Sequence, residues 1–291
     1  MRCTILLIML FLSSCREKVY DDFPPFDKVP TVNSFLTRDS VIAVHVSMAT
    51  KIEKGSIDGV DNAIVRVFSD NGVDMALLPE GDGWYKASLS VETGETYHCE
   101  VTVPGFSTVF SSTQIPSEPV FLNLQHIAIA GKDEEGTTYP AINFTFNNNP
   151  NEVAYYEVVI RLANSDKSAE LLNIVDPVLL EEGLPIALFS NATITGNNYT
   201  MVLNYTTGSA GSTGVDGEWR TTLYPFVFEL RKVSKSYYLH KRSLKLYETG
   251  RYPEFALGGN PVFNVYSNVE NGYGIFAAYS SILSDTIYPS Y

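Results

Sequence analysis

The stretch Val41-Ile42-Ala43-Val44-His45-Val46-Ser47-Met48 decides the reading of the fold, because its side chains alternate between two characters. Ile42, Val44, Val46 and Met48 share one face of an extended chain, and His45 and Ser47 point outward from the other. A period of two belongs to a half-buried strand, whereas a helix repeats every ~3.6 residues.

The same pattern recurs on either side, with turn residues between. Ala63-Ile64-Val65-Arg66-Val67-Phe68 ends at Ser69-Asp70-Asn71-Gly72, and Met75-Ala76-Leu77-Leu78 is expected to meet Trp84-Tyr85-Lys86-Ala87 across Gly81-Asp82-Gly83 as a hairpin. Residues 96–103 and 107–114 add two more strands. Their spacing predicts an immunoglobulin-like antiparallel sandwich over residues 29–116, with a boundary near Pro116 to Pro119. On the strand from Thr96, Cys99 falls on the face of Tyr97, Val101 and Val103, which reads as a buried apolar thiol.

Residues 117–291 predict a second β-rich domain with one or two short helices, so the chain as a whole reads as mainly β. Strands are expected at 120–130, 141–146, 154–162, 199–205 and 222–232. A short helix follows Asp176-Pro177, where Asp caps and Pro suits the first helical position, and stops at Gly183. A longer helix near 234–249 opens at Ser234 and aligns Tyr237, His240, Leu244 and Tyr247 on one face. Its Lys235, Lys241, Arg242 and Lys245 read as a solvated basic face balancing the acidic chain, with a docking surface as the alternative. The run from Thr206 to Gly214 is too small and polar to pack, and is expected to form a mobile loop and a candidate contact edge. Near the end, Asn271-Gly272 suits a turn with positive backbone angles, and Gly274 suits close approach. Ile275-Phe276-Ala277-Ala278-Tyr279 is apolar on both faces, as in a buried strand closing the second domain. Tyr266, Tyr273 and Tyr279 are expected to pack; as an alternative they offer a stacking platform for a sugar or chelate.

The amino terminus reads differently. Arg2 precedes the apolar run from Ile5 to Leu12, which is the layout of a secretory leader. A transmembrane helix needs about 20 apolar residues, and this run is far shorter. Leu12-Ser13-Ser14-Cys15 resembles a bacterial lipobox, so residues 1–14 are expected to be a lipoprotein signal peptide and Cys15 the acylated first residue of the mature chain. The membrane is then a partner through the lipid on Cys15, and polar residues 15–28 serve as a tether. Asp21-Asp22 resemble the acidic surface-export signal of some Gram-negative lipoproteins, although Arg16 and Lys18 intervene.

Composition sets further bounds. The chain has 291 residues, 45% of them hydrophobic and 18% charged, which is enough to bury one large or two ordinary cores. Its formal net charge of −13, which becomes one unit more negative once Arg2 leaves, repels phosphate and argues against nucleic acid as a ligand. Of three cysteines, Cys3 leaves with the leader and Cys15 takes lipid, so Cys99 has no intramolecular disulfide partner.

Several segments then line up with one family. Asn33-Ser34-Phe35-Leu36-Thr37, Asn62-Ala63-Ile64-Val65, Gly83-Trp84-Tyr85, Gly94-Glu95-Thr96-Tyr97 and Thr113-Gln114-Ile115-Pro116 look like successive landmarks of the lipoprotein family catalogued as domain of unknown function forty-two forty-nine. Val233-Ser234 leading into Tyr237-Tyr238, then Pro261-Val262, and Tyr266-Ser267-Asn268-Val269-Glu270-Asn271-Gly272-Tyr273-Gly274 running on to Tyr279, resemble its closing signature. One departure is Asn271, which stands where the family more usually has the first of two glycines. The resemblance implies an outer-membrane lipoprotein beside a TonB-dependent β-barrel transporter, serving nutrient or metal-chelate uptake; the Asp21-Asp22 likeness adds the expectation that it faces the cell surface. It supplies no catalytic residue.

The residues themselves supply none either. There is no Gly-x-Ser-x-Gly, His-Glu-x-x-His, phosphate loop or dinucleotide fingerprint. His45, His98, His126 and His240 stand singly, without ligand spacing. Asp58-Gly59-Val60-Asp61-Asn62 and Asp133-Glu134-Glu135-Gly136 each lack a full calcium register and read as solvated loops. The sequence therefore predicts a non-enzymatic accessory to the transporter, with no cofactor and no metal. The alternatives are a structural or adhesive envelope module and a surface hydrolase, since paired carboxylates can be far apart in sequence.

Overall fold

The structure, a computed structural model, describes residues 28–38, 40–50, 56–208, 212–217, 219–220, 222–250 and 263–291. The leader, Cys15, all of the tether but Lys28, Ser209-Ala210-Gly211 and Pro261-Val262 lie outside the described residues. The first region carries β1 (Pro30–Leu36), β2 (Ile42–Met48), β3 (Ile64–Ser69), β4 (Asp74–Ala76), β5 (Leu78–Gly81), β6 (Trp84–Ala87), β7 (Thr96–Thr102) and β8 (Val109–Gln114). After it come β9 (Phe121–Lys132), β10 (Thr138–Asn147), β11 (Tyr155–Leu162), β12 (Glu170–Leu171), helix α1 (Pro177–Glu182), β13 (Leu188–Ser190) and β14 (Asn198–Thr206). The chain finishes with β15 (Ser212–Thr213), β16 (Trp219–Arg220), β17 (Phe226–Val233), helix α2 (Lys235–Gly250) and β18 (Tyr273–Leu283).

The protein is mainly β, and its strands are tied together by the last of them. One sheet runs β13-β11-β17-β18-β1-β2-β6-β5, so it crosses from the second region into the first at β18. There β1 pairs with β18 in parallel, from Thr31 opposite Tyr273 to Leu36 opposite Ala278. Two expectations are corrected by this pairing: the first sandwich is not antiparallel throughout, and the final strand does not close the second region alone. The physical reason lies in β18 itself. Phe276 and Ala278 join the core of the first region, while Ile275 and Ala277 pack with Val233 and Tyr237. A strand buried on both faces needs a neighbour on both edges, and the long crossover that parallel pairing requires is nearly the whole intervening chain.

In the first region the second sheet, β4-β3-β7-β8, faces the shared one. Val32, Ile42, Val44 and Val46 from one sheet meet Val65, Val67, Cys99 and Val101 from the other in a common core. The core beyond β8 is more aromatic, with Phe144, Phe146, Phe189, Phe226 and Phe228 fully buried. Each such side chain contributes roughly 1.5–3 kcal/mol relative to exposure.

Three local readings change. Met75 to Leu78 is not one arm of a hairpin: β4 pairs with β3 while β5 pairs with β6, and the chain changes sheets at the buried Leu77, whose N–H donates to the Val65 carbonyl. Alternation reports a face and not a partner. Ser47 is 3% exposed because Gly59 bridges across it, whereas His45 stays half-buried with its ring 4.9 Å from that of Trp84. The polar run after Thr206 also contributes β15, paired with β16.

The helix signals act as the local chemistry dictates. Asp176 Oδ1 accepts from the Val178 N–H at 3.0 Å, and Gly183 ends α1 at φ 69°. Ser234 Oγ accepts from the Tyr237 N–H at 3.3 Å and caps α2.

Gly274 tests the β1–β18 junction. Its φ is 111°, and an added Cβ meets the Val32 carbonyl oxygen at 2.0 Å. Gly274→Ala is expected to lower the urea unfolding free energy by about 2–4 kcal/mol, and a loss under ~0.5 kcal/mol would contradict so close a pairing.

Candidate functional site

A cleft of about 830 Å³ lies at the junction of the two regions. Its walls come from residues 112–117, from 152–155, from 232–236 where β17 passes into α2, and from Tyr266 and Asn268. Several family landmarks converge here, including Thr113 to Pro116, Val233-Ser234 and Tyr266.

Most polar groups at this junction hold backbone. Asn268 Nδ2 donates to the carbonyls of Ser112 and Phe276 at 3.1 and 2.8 Å, and its Oδ1 accepts from the Phe276 N–H at 3.0 Å. Ser111 Oγ donates to the Asn268 carbonyl at 2.9 Å, and Ser280 Oγ to that of Pro116 at 2.7 Å. Ser234 Oγ also accepts from the Ala278 N–H at 3.1 Å, so one hydroxyl caps a helix and fixes β18. Nearer the opening, Lys232 Nζ donates to Ser117 Oγ at 3.0 Å and to Glu152 Oε1 at 2.9 Å. Thr113, Gln114, Ser117 and Ser236 give the lining neutral donors and acceptors suited to a hydrogen-bonding ligand.

The three candidate tyrosines do not form one platform. Tyr266 lines the cleft, and its carbonyl accepts from His240 Nδ1 at 2.8 Å. Tyr273 is 54% exposed at the start of β18. Tyr279 is six positions along the same extended strand, roughly 20 Å away at ~3.3 Å per residue. Its ring lies under the Arg231 guanidinium, 4.8 Å from the carbon, and edge-on to Tyr237 at 5.9 Å.

That guanidinium belongs to a buried charge network invisible in the sequence pattern. Arg231 Nε and Nη2 donate to the two carboxylate oxygens of Glu229 at 2.8 and 2.9 Å, and Nη1 donates to Glu157 Oε2 at 2.8 Å. Arg161 also binds Glu229, and the Tyr237 hydroxyl donates to Glu157 Oε2 at 2.6 Å. Burial alone would raise the Glu229 carboxyl, but its bonds to Arg231 and the nearby Arg161 outweigh that and hold it below the ordinary carboxylate value. Tyr237 is pushed up by burial and by Glu157. The available signal was the register of β11 on β17, which sets Glu157 opposite Arg231; a single chain does not display it.

The remaining candidates are dispersed. Cys99 is buried in the first core and its thiol is pushed up to about 12, so it stays protonated at neutral pH and is a poor nucleophile. His98 Nε2 lies 3.0 Å from Asp70, and His126 Nε2 lies 3.0 Å from the Tyr205 hydroxyl. Among the described residues no group of three or more His, Cys, Asp or Glu is placed to hold a metal ion, and no helix is long and apolar enough to cross a membrane.

The family described as Domain of unknown function (DUF4249) matches residues 16–282. The chain belongs to this family. A comparison with curated proteins finds no match. In this DUF4249 chain the closing signature is first of all a seam: Asn268 and its neighbours bind β8 to β18, and Asn271, at φ 60°, donates from Nδ2 to the Thr108 carbonyl. Asn271 thus takes a positive backbone angle, one that a glycine adopts without strain. Gly272 is needed for space instead, since a Cβ there meets the Pro30 carbonyl oxygen at 2.6 Å.

Both His126 and His240 are held below the ordinary value of 6.5, mainly by burial. Below that value the unfolded chain binds more protons than the folded one, so the stability present above it is lost as pH falls through the depressed folded values. The contribution of Glu229 is lost only in a separate window below its ordinary 4.5. The urea midpoint is expected to fall between pH 7.5 and 5.5 with a shallower slope in His126→Gln/His240→Gln; equal slopes would contradict the burial of these rings.

Proposed function

We propose that the protein is a lipid-anchored, surface-facing outer-membrane component that works without catalysis as an accessory to a TonB-dependent transporter. The observation that carries the reading is Leu12-Ser13-Ser14-Cys15 closing a short apolar run, which makes Cys15 the anchor. One acyl chain holds a protein only marginally, whereas two or more give stable attachment. Anchoring raises the effective concentration of a binder at a channel mouth, so the lipid and the binding role support each other. The junction cleft supplies a place for a hydrogen-bonding ligand, and the transporter partnership is what the sequence resemblance implies.

One observation favours a second reading, a structural or adhesive envelope module. Asn268, Ser234, Ser111 and Ser280 all use their side chains on backbone across the seam, as a rigid spacer requires.

Affinity purification of the full-length lipidated protein from detergent-solubilised outer membranes is expected to recover a β-barrel transporter. Mass spectrometry of the same sample is expected to find the leader removed and diacylglycerol on Cys15. Recovery without a transporter, together with a deletion strain whose attachment changes while uptake does not, would replace the accessory role with the structural one.

A further inference from the structure

A second cleft, of about 620 Å³, opens where the edge of β11 changes partner. On that edge the Val158 N–H donates to the Ala187 carbonyl at 2.8 Å, and the Ile160 carbonyl accepts from the Ala169 N–H at 2.8 Å. The segments before β13 and before β12 thus take successive parts of one edge, and the cleft lies between them. Helix α2 contributes Lys241 and Lys245 to its lining, β11 and β17 contribute Glu157, Arg161 and Arg231, and β12 contributes Glu170.

The charges here do not cancel. Arg231 and Arg161 are matched by the carboxylates they bind, Glu229 and Glu157. Lys241 and Lys245 remain, opposed only by the exposed Glu170. On the same helix Arg242 pairs with Glu182 at 2.8 Å, whereas the Lys241 amine rests over the Tyr237 ring, 5.7 Å from its centre. Among the described residues neither lysine has a carboxylate within ion-pair distance. Two like charges four residues apart on a helix repel, and both side chains are half-buried, so an anion between them relieves repulsion and desolvation together. Apolar lining from Leu171 and Ile186 lies in the same cleft.

We propose that this cleft binds a small organic anion, with a carboxylate held by Lys241 and Lys245 and an apolar body against Leu171 and Ile186. The basic face of α2 is then a binding wall and not only a solvated surface. The proposal stands on the cleft alone and is independent of the transporter partnership.

The probe is 2-naphthoate, with 2-naphthalenemethanol as its neutral analogue, titrated by fluorescence into the full-length protein in a non-ionic detergent. Saturable naphthoate binding is expected, about tenfold or more tighter than that of the alcohol and about tenfold or more weakened in Lys241→Gln/Lys245→Gln. Glutamine is a good helix former, and the doubly arginine-substituted variant Lys241→Arg/Lys245→Arg is expected to keep most of the affinity while preserving the charge. Equal binding by the glutamine variant, equal binding of the alcohol, or no saturable naphthoate binding would overturn the proposal. Displacement of naphthoate by an equal concentration of inorganic phosphate would overturn it as well, because the apolar lining would then play no part.

Discussion

The parallel pairing of β1 with β18 is the constraint on which the structure depends. It joins the beginning and the end of the described fold in one sheet, and it gives β18 a neighbour on each edge and a hydrophobic cluster on each face. Without it Phe276 and Ala278 would have no core to enter, and β1 would be an edge strand with unpaired backbone groups. The first region is thus completed only when the last strand arrives, a topology that favours slow, non-local assembly.

A sheet closed in this way buries polar backbone where two regions meet, and buried polar groups must be satisfied. Short side chains do this along the seam. Asn268 pairs with Phe276 as a strand would, while Ser234 ends one strand, starts one helix and fixes a third element. The Arg231 network extends the same logic to charge. Glu229 is 3% exposed and is tolerable there because two guanidiniums surround it; removing one partner of such a buried pair typically costs about 3–5 kcal/mol. The clefts sit beside this framework: one at the seam, where neutral donors and acceptors lie beside the Lys232–Glu152 pair, and one at the β11 edge, where cations are in excess.

Much of the local structure was legible in the residues, because local signals have local causes. Alternation marked Ile42–Met48, Asp176-Pro177 and Gly183 bracketed α1, and Cys99 followed its apolar face into the core. Even the two-faced burial of Ile275 to Ala278 was visible as an unbroken apolar run. What the chain did not display was partnership. Nothing near Leu77 shows that one strand run divides between two sheets, and nothing near Tyr273 shows that its neighbour is Thr31. The candidate site suffered in the same way: Tyr266, Tyr273 and Tyr279 look close in sequence, yet extended geometry separates the last two. The charge network and the cationic cleft depend on which strands adjoin, so they appear only in three dimensions.

Two tryptophans provide the most direct measurement of that shared sheet, since Trp84 lies in the first region and Trp219 in the second. Urea unfolding followed by fluorescence in Trp84→Phe and in Trp219→Phe leaves one reporter in each half. The account predicts a single cooperative transition with coincident midpoints for both reporters and for far-ultraviolet circular dichroism. Two separated transitions, with one half unfolding while the other keeps its native signal, would contradict it.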